Sequence, residues 1–529
     1  MPVELKKRDA LVAEIESLLS NGNNQASVKL CQILNNSYPS YGHGWFLSSF
    51  VAAQLNIVDY ALYCINNALT LSNKNINWQI QKANCLVKLG DFSQAIELVD
   101  NAMQISQKDI KILNDIAIIY NNCHQLEKSR ETYMKAIVLS PKSSKLYFNL
   151  ASVERYLGLL VECEKNCNLA IEYDVNNYDA YYMRSNLRSL DLKNNHINQL
   201  YQVINSQISN PSDFAKMQFA LAKELEDCGQ YKESFIERKK GADKYRKVFN
   251  YNVQSEIDFM RNIAFNYDFK MFEDSKDNTN GEGLIFILGL PRTGSTLLER
   301  IMSGHSEISS MGELTAFSNI MSEMLVHLVG SNGASDSEMV RMSKSLDFNK
   351  LGQSYMQYIN SVKGSSKYFI DKFPQNSLYI GLIKLALPRA RIVLIERDPM
   401  DSCYSMYKQL FTDIYQFSYD LDELSDYFIS HHQLMNHWKT ILADDVITVK
   451  YEDLVGDIHT ASINLFNKCK IQWQPQCVDF TKNIHHSMTA SASQVRQGLY
   501  SSSIGKWKNY KVELSEVSKK VMNYLNKLG

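Results

Sequence analysis

The chain has 529 residues, 45% hydrophobic and 21% charged, with a formal net charge of −1; this is ordinary folded-protein composition with room for two to four domains, and no bulk attraction to nucleic acid or acidic membranes, so any anion site must be built locally. No apolar run approaches the roughly 18 residues a membrane span needs, and the opening MPVELKKRDALVAEIE lacks the apolar core of a signal peptide. The ten cysteines show neither CxxC pairing nor His spacing suited to zinc, so a reduced, cytoplasmic protein is expected, with Cys163 and Cys167 packed on one helix face.

Taken along the chain, the first pattern is a repeat. A small residue followed by an aliphatic one recurs as Ala68-Leu69, Ala102-Met103, Ala136-Ile137 and Ala170-Ile171, in steps of 34 residues. Ala83, Ala117 and Ala151 add a second small residue in three units, and Asn56, Gly90, His124 and Gly158 mark a recurrent turn. Small residues let two antiparallel helices approach closely, and Gly or Asn permits the turn between them. One such pair cannot bury its apolar face alone, so pairs stack. A weaker unit, Ala222, Gly229, Tyr231 and Gly241, is displaced by about three residues. This grammar resembles the tetratricopeptide repeat family over residues 8–250. The resemblance implies an α-solenoid that binds peptides or partner subunits; a spacer or dimerisation arm is the equal alternative, and a homodimer is compatible with either.

Residues 273–282, EDSKDNTNGE, are polar and read as a linker. The domain reading is therefore 1–250 for the repeat array, 251–282 for a connecting helix and linker, and 283–529 for a second domain. From there, short apolar runs alternate with helical stretches, which predicts an α/β domain with a parallel sheet. The runs are 284–288, 367–374, 391–396 and 446–449.

The loop after the first run is Gly289-Leu290-Pro291-Arg292-Thr293-Gly294-Ser295-Thr296, and a helix follows. Glycines allow a tight backbone with inward N–H groups, and the helix N-terminus favours an anion. The spacing is that of the nucleotide P-loop GxxxxGK[ST], except that Ser295 stands at the lysine position. Arg292 supplies a cation within the loop instead. Ligands of open parallel sheets lie at the carboxyl ends of strands. Those ends carry Arg292, Lys372 and Arg397, three cations directed at one crevice.

GLPRTGSTLLE, the Lys372 strand end, ERDPMDSCYS, KYEDLVGD and QVRQGLYSSSIGKWKNY together resemble the sulfotransferases that use 3′-phosphoadenosine-5′-phosphosulfate (PAPS). The nearest pattern is that of bacterial sulfotransferases fused to tetratricopeptide repeats, related to tyrosylprotein sulfotransferases, over residues 283–512. The resemblance implies that Arg292, Thr293, Gly294, Ser295 and Thr296 surround the 5′-phosphosulfate. It implies that Arg397 and Ser405 hold the 3′-phosphate, with Tyr451, Arg496 and Lys506 as further cofactor contacts. It gives Lys372 the bridging oxygen of the leaving phosphate, with 3′-phosphoadenosine-5′-phosphate (PAP) as product and no metal. Sulfuryl transfer also needs a base, and Glu313 is the candidate. Tyrosylprotein sulfotransferases carry a second acidic residue at the position of Leu314, so Glu313 reads equally as an ion-pair partner of a site cation. His305, and the group His431, His432 and His437, read as packing residues. The acceptor, a hydroxyl or amine, is open: a protein or peptide held by the repeats, a glycan, a lipid headgroup or a small alcohol. The rival readings are a nucleotide-binding repeat scaffold without chemistry and a P-loop kinase; the latter predicts the missing GK[ST].

Overall fold

The computed structural model describes residues 3–528, apart from 107, 274–277, 330–334, 363 and 481–502. The chain forms two compact units, Met1–Val175 and Asn176–Gly529.

Among the described residues the first unit is a run of helices in antiparallel pairs, from Val3–Ser20 to Leu160–Tyr173. The seven alanines of the repeat pattern, from Ala68 to Ala170, are wholly buried. The four turn residues share one backbone geometry: Asn56, Gly90, His124 and Gly158 have φ of 60°, 82°, 60° and 81°. Each is followed by an N–H that reaches back to a helix carbonyl, as from Ile57 to Ala52 (2.8 Å) and Asp91 to Leu86 (2.9 Å). These are Schellman caps, which close a helix and reverse the chain. The period in the sequence is therefore the period of a left-handed backbone position. Gly22, one period upstream of Asn56, belongs to the same series at 72°.

The second unit opens with two short helices, Tyr178–Ser185 and Ile197–Ile204, then a regular pair, Pro211–Asp227 and Tyr231–Arg246. The displaced repeat ends here: Gly229 takes φ 76°, and a Cβ on Gly241 would lie 2.8 Å from Gln218 Cβ, which marks close helix contact.

After the helix Val253–Asn266 the sheet begins. Its strands are β1 (Leu284–Leu288), β2 (Ile308–Ser310), β3 (Tyr368–Asp371), β4 (Arg391–Glu396) and β5 (Val446–Lys450), all parallel and in the order β2-β3-β1-β4-β5. Four match the predicted runs. β2 is a three-residue edge strand that no apolar run announces. Pro374 takes the first position of a 3-10 helix, Pro374–Tyr379, where its missing N–H costs nothing.

Side chains alternate across the strands. Leu284, Phe286, Leu288, Ile392 and Leu394 enter one core with Tyr355 and Trp438, while Ile285, Ile287, Val393 and Ile395 enter another with Leu298, Ile301 and Phe466. Burial on both faces explains the unbroken apolar runs. Phe219, Phe235 and Tyr245 of the last regular helix pair belong to the first of these cores.

Candidate active site

β1 delivers the chain to Gly289, and the helix Ser295–Ser303 carries it away. Gly289 has φ 145°, and a Cβ there would stand 2.6 Å from the Ile395 carbonyl oxygen of β4. Gly294 has φ 105°, and its Cβ would stand 2.4 Å from Tyr451 Cδ2. Both positions require glycine. Arg292 takes φ 67° without that freedom, a strained conformation that neighbouring contacts must hold. Arg397 Nη1 donates to the Arg292 carbonyl at 3.0 Å, and Thr293 Oγ1 donates to the Leu290 carbonyl at 2.7 Å. Ser295 and Thr296 open the helix in buried positions.

Arg397, directly after β4, joins several segments. Besides Arg292 it donates to Ser405 Oγ (3.1 Å) and to the Ser503 carbonyl (2.6 Å), and its guanidinium lies 4.6 Å above the Tyr451 ring. Tyr451 and Ser503 pair in turn through their hydroxyls at 2.8 Å. Arg397 and Ser405, eight residues apart in sequence, thus meet because the helix Pro399–Tyr407 turns back beside the strand end. Among the described residues Arg397 Nε is buried and has no hydrogen-bond partner, so it is a donor left over for a ligand. A cavity of about 520 Å³ borders this region, lined in part by Gly289, Thr293, Arg397, Ser402 and Lys450.

Lys372 follows β3 and is 0% exposed. Its ammonium ion pairs with Glu313 and stands 3.8 Å from Glu299 Oε2. Glu299 lies on the loop helix and accepts from the Ser310 hydroxyl. Burial raises the Glu299 carboxyl above its usual range, against the opposing pull of Lys372. Glu313 is therefore paired to Lys372. Glu299 was not singled out from sequence; the charged pair Glu299-Arg300 set between Leu297-Leu298 and Ile301-Met302 in the loop helix was the available signal. Asp371, the last residue of β3, was also missed. Burial pushes it up to about 7, although Tyr355 Oη donates to it at 2.7 Å.

The structure gathers the remaining expected residues unevenly. Lys506 does not contact Arg397; it ion pairs with Glu226 at 2.6 Å. Arg496 lies outside the described residues. His305 has both ring nitrogens engaged, toward the Gln472 carbonyl (2.9 Å) and the Glu307 N–H (3.0 Å). His431 pairs with Ser377 Oγ at 2.9 Å, and burial, with His432 adding, lowers it to about 3. His432 meets Tyr524 Oη and His437 the Tyr267 carbonyl, each at 2.9 Å. These histidines hold elements together. Cys163 and Cys167 lie buried in the helix Leu160–Tyr173.

Among the described residues no helix is long and apolar enough to cross a membrane. Over 327 residues the chain is 26% identical to an uncharacterized protein of Aquifex aeolicus (strain VF5). That match covers 61% of this chain and 43% of the relative, so the chain spans less than half of that protein's length. Among solved structures, a sulfotransferase domain from the curacin biosynthetic pathway is 16% identical with a TM-score of 0.32, covering 46% of this chain and 99% of that one. A thermophilic TPR protein of Thermus thermophilus is 14% identical with a TM-score of 0.30, covering 33% and 94%. The family model described as Sulfotransferase family matches residues 285–475, the segment that carries the loop, Lys372, Arg397 and Tyr451.

Proposed function

We propose that the chain is a sulfotransferase that uses PAPS and passes a sulfuryl group to a hydroxyl or amine acceptor. The observation that carries this reading is the joining of two anion-binding elements: Arg397 ties the backbone of the glycine loop, through Arg292, to Ser405. A kinase needs the first element only; a nucleotide with a 3′-phosphate calls for the second. Arg397 Nε, without a hydrogen-bond partner among the described residues, and a loop that excludes a Cβ at Gly289 and Gly294 fit such a ligand.

PAPS supplies the sulfuryl group, and its remainder departs as PAP. Arg292, Thr293, Gly294, Ser295 and Thr296 cradle the 5′ end, with the helix N-terminus as a fixed partial charge. Arg397 and Ser405 hold the 3′-phosphate, flanked by Tyr451. Lys372 stabilises the negative charge that grows on the leaving phosphate. The transferred unit is neutral, so the chemistry does not call for a bridging metal. Glu313, beside Lys372 and 43% exposed at its side chain, accepts the acceptor's proton. Arg496 and Lys506 complete the nucleotide contacts.

A cavity of about 420 Å³ is lined in part by Gln375, three residues after Lys372 in the chain, and by Leu378, Glu256, Tyr415 and Phe417. Glu256 lines the cavity itself, and burial raises the Tyr415 hydroxyl, with Glu313 and Glu256 adding. We assign the acceptor to this cavity and assign a protein- or partner-binding role to the repeats.

The test is calorimetric titration of wild type and Arg397→Ala with PAP and ATP. The reading expects PAP to bind far more tightly than ATP, and PAP binding to weaken by about 10- to 100-fold in the variant, the range of a lost hydrogen bond to a charged group. A wild type that ignores PAP would sink it. PAP binding without turnover of labelled PAPS on any acceptor would favour the non-catalytic scaffold.

A further inference from the structure

Glu226 is the penultimate residue of the helix Pro211–Asp227, and the reaction proposed above makes no use of it. It is 6% exposed, yet it is the meeting point of three chain segments. Arg238, from the other helix of its pair, lies 3.3 Å from Oε2. Tyr404, from the helix that carries Ser405, donates to Oε2, and Lys408, at the end of that helix, stands 3.6 Å from Oε1. Lys506 and Tyr510, from the short 3-10 helix Lys506–Tyr510, reach it at 2.6 Å and 2.9 Å.

The two lysines have related positions. Arg397 is bonded to Ser405 and to Ser503. Lys408 and Lys506 each stand three residues beyond those anchors. The segment of Lys506 is held further by Asp401, which accepts from the Gly505 N–H at 2.6 Å and the Trp507 N–H at 3.3 Å. We infer that Glu226 is a positioning residue for the 3′-phosphate end of the nucleotide, holding Lys408 and Lys506 beside Arg397 and making the last repeat-like helix pair part of the cofactor site.

This inference rests on the sulfotransferase reading. Its physical basis is charge balance. Three cations around one carboxylate leave a positive surplus, as an incoming phosphate requires, and the carboxylate keeps them from dispersing. Burial works to raise the Glu226 carboxyl, but Lys408, Arg238 and Lys506 hold it well below the usual range. Burial lowers Lys408 to about 7; Glu226 opposes that, while Lys506, Arg238 and Arg292 add to it. Without Glu226 the cluster loses both its geometry and part of its charge.

The experiment is titration of full-length wild type, Glu226→Gln and Glu226→Asp with PAP and with adenosine 5′-monophosphate, which lacks the 3′-phosphate. The quantity read is the ratio of the two affinities, which a general loss of stability leaves unchanged. Wild type is expected to favour PAP. Glu226→Gln is expected to lower the ratio about tenfold, the scale of one charge-assisted contact, with the monophosphate affinity little changed, and Glu226→Asp is expected to recover part of it. Should Glu226→Gln fail to fold, Glu226→Asp decides by the same ratio, since its carboxylate is drawn back by one methylene and a fall of a few fold is expected. A ratio that holds or rises in a folded variant, with wild type still favouring PAP, overturns this inference alone. A wild type without preference for PAP overturns the sulfotransferase reading and this inference with it.

Discussion

Replacing Lys372 with methionine keeps the length of the side chain and removes its charge. Lys372 is 0% exposed and 3.8 Å from Glu299 Oε2. Two unit charges at that distance attract by about 4 kcal/mol at an effective dielectric of 20. Removing one partner of a buried pair costs about 3–5 kcal/mol in general, so the two figures agree in scale. The cost depends on pH, because Glu299 can relieve it by taking up a proton. Its folded pKa is raised above the unfolded value, so its contribution to stability is present below the unfolded pKa and is lost as pH rises through the folded one. Losing Lys372 removes the contribution that opposes this rise. Lys372→Met is therefore expected to be destabilised by several kcal/mol at pH 8.5 and by less at pH 5.5, on the scale of the general figure, as measured by urea unfolding. The double variant Lys372→Met/Glu299→Gln should regain most of that stability. Turnover behaves differently. If Lys372 stabilises the leaving phosphate, kcat falls by about 10²–10³ in both variants, followed as p-nitrophenol release from p-nitrophenyl sulfate with PAP. A double variant that regains turnover along with stability would show that Lys372 is only a counter-ion. Equal destabilisation at both pH values would refute the electrostatic account of Glu299.

Asp371→Asn tests the other buried acid. Its folded pKa of about 7 lies above the ordinary 3.8, so wild type should lose roughly 2 kcal/mol of stability between pH 5.5 and 8.5 from this group, a slope that the variant lacks in urea titrations. Gly294→Ala forces a Cβ to within 2.4 Å of the Tyr451 ring at φ 105°, displacing the ring that stacks on Arg397. PAP affinity should fall about tenfold or more in calorimetry, since the backbone conformation alone disfavours alanine by about 1–2 kcal/mol, and unchanged affinity would separate the loop from the site. Ser405→Ala removes one acceptor of Arg397. It should lower the preference for PAP over adenosine 5′-monophosphate by a few fold, less than Arg397→Ala does, as one hydrogen bond is worth about 1 kcal/mol.

What was legible in the sequence was local. The repeat could be read because each turn needs a left-handed residue, and that need recurs at Asn56, Gly90, His124 and Gly158. Four strands could be read because burial on both faces writes an unbroken apolar run, and Arg391–Glu396 matches its run residue for residue. β2 could not, because three residues at a sheet edge take their identity from pairing with β3. The pair Arg397 and Ser405 was accessible through a resemblance, and the structure supplies its cause in a helix that starts at Pro399 and returns its second turn to the strand end. The contacts that the sequence did not reveal join distant segments: Glu299 with Lys372, and Glu226 with Lys408 and Lys506. Neither Glu226 nor Lys408 stands in a motif. Each is defined by what the topology brings to it, and a buried carboxylate is tolerated only where cations arrive to meet it. The same condition makes such a carboxylate informative once the fold is known. Glu226 is buried at the end of a repeat-like helix, and two of the three cations that justify it come from segments bonded to Arg397. If Glu226 positions these lysines, the helix pair that closes the repeat pattern supports the anion site, and removing that pair, Arg238 included, would expose Lys408 and Lys506 and leave both without their carboxylate partner.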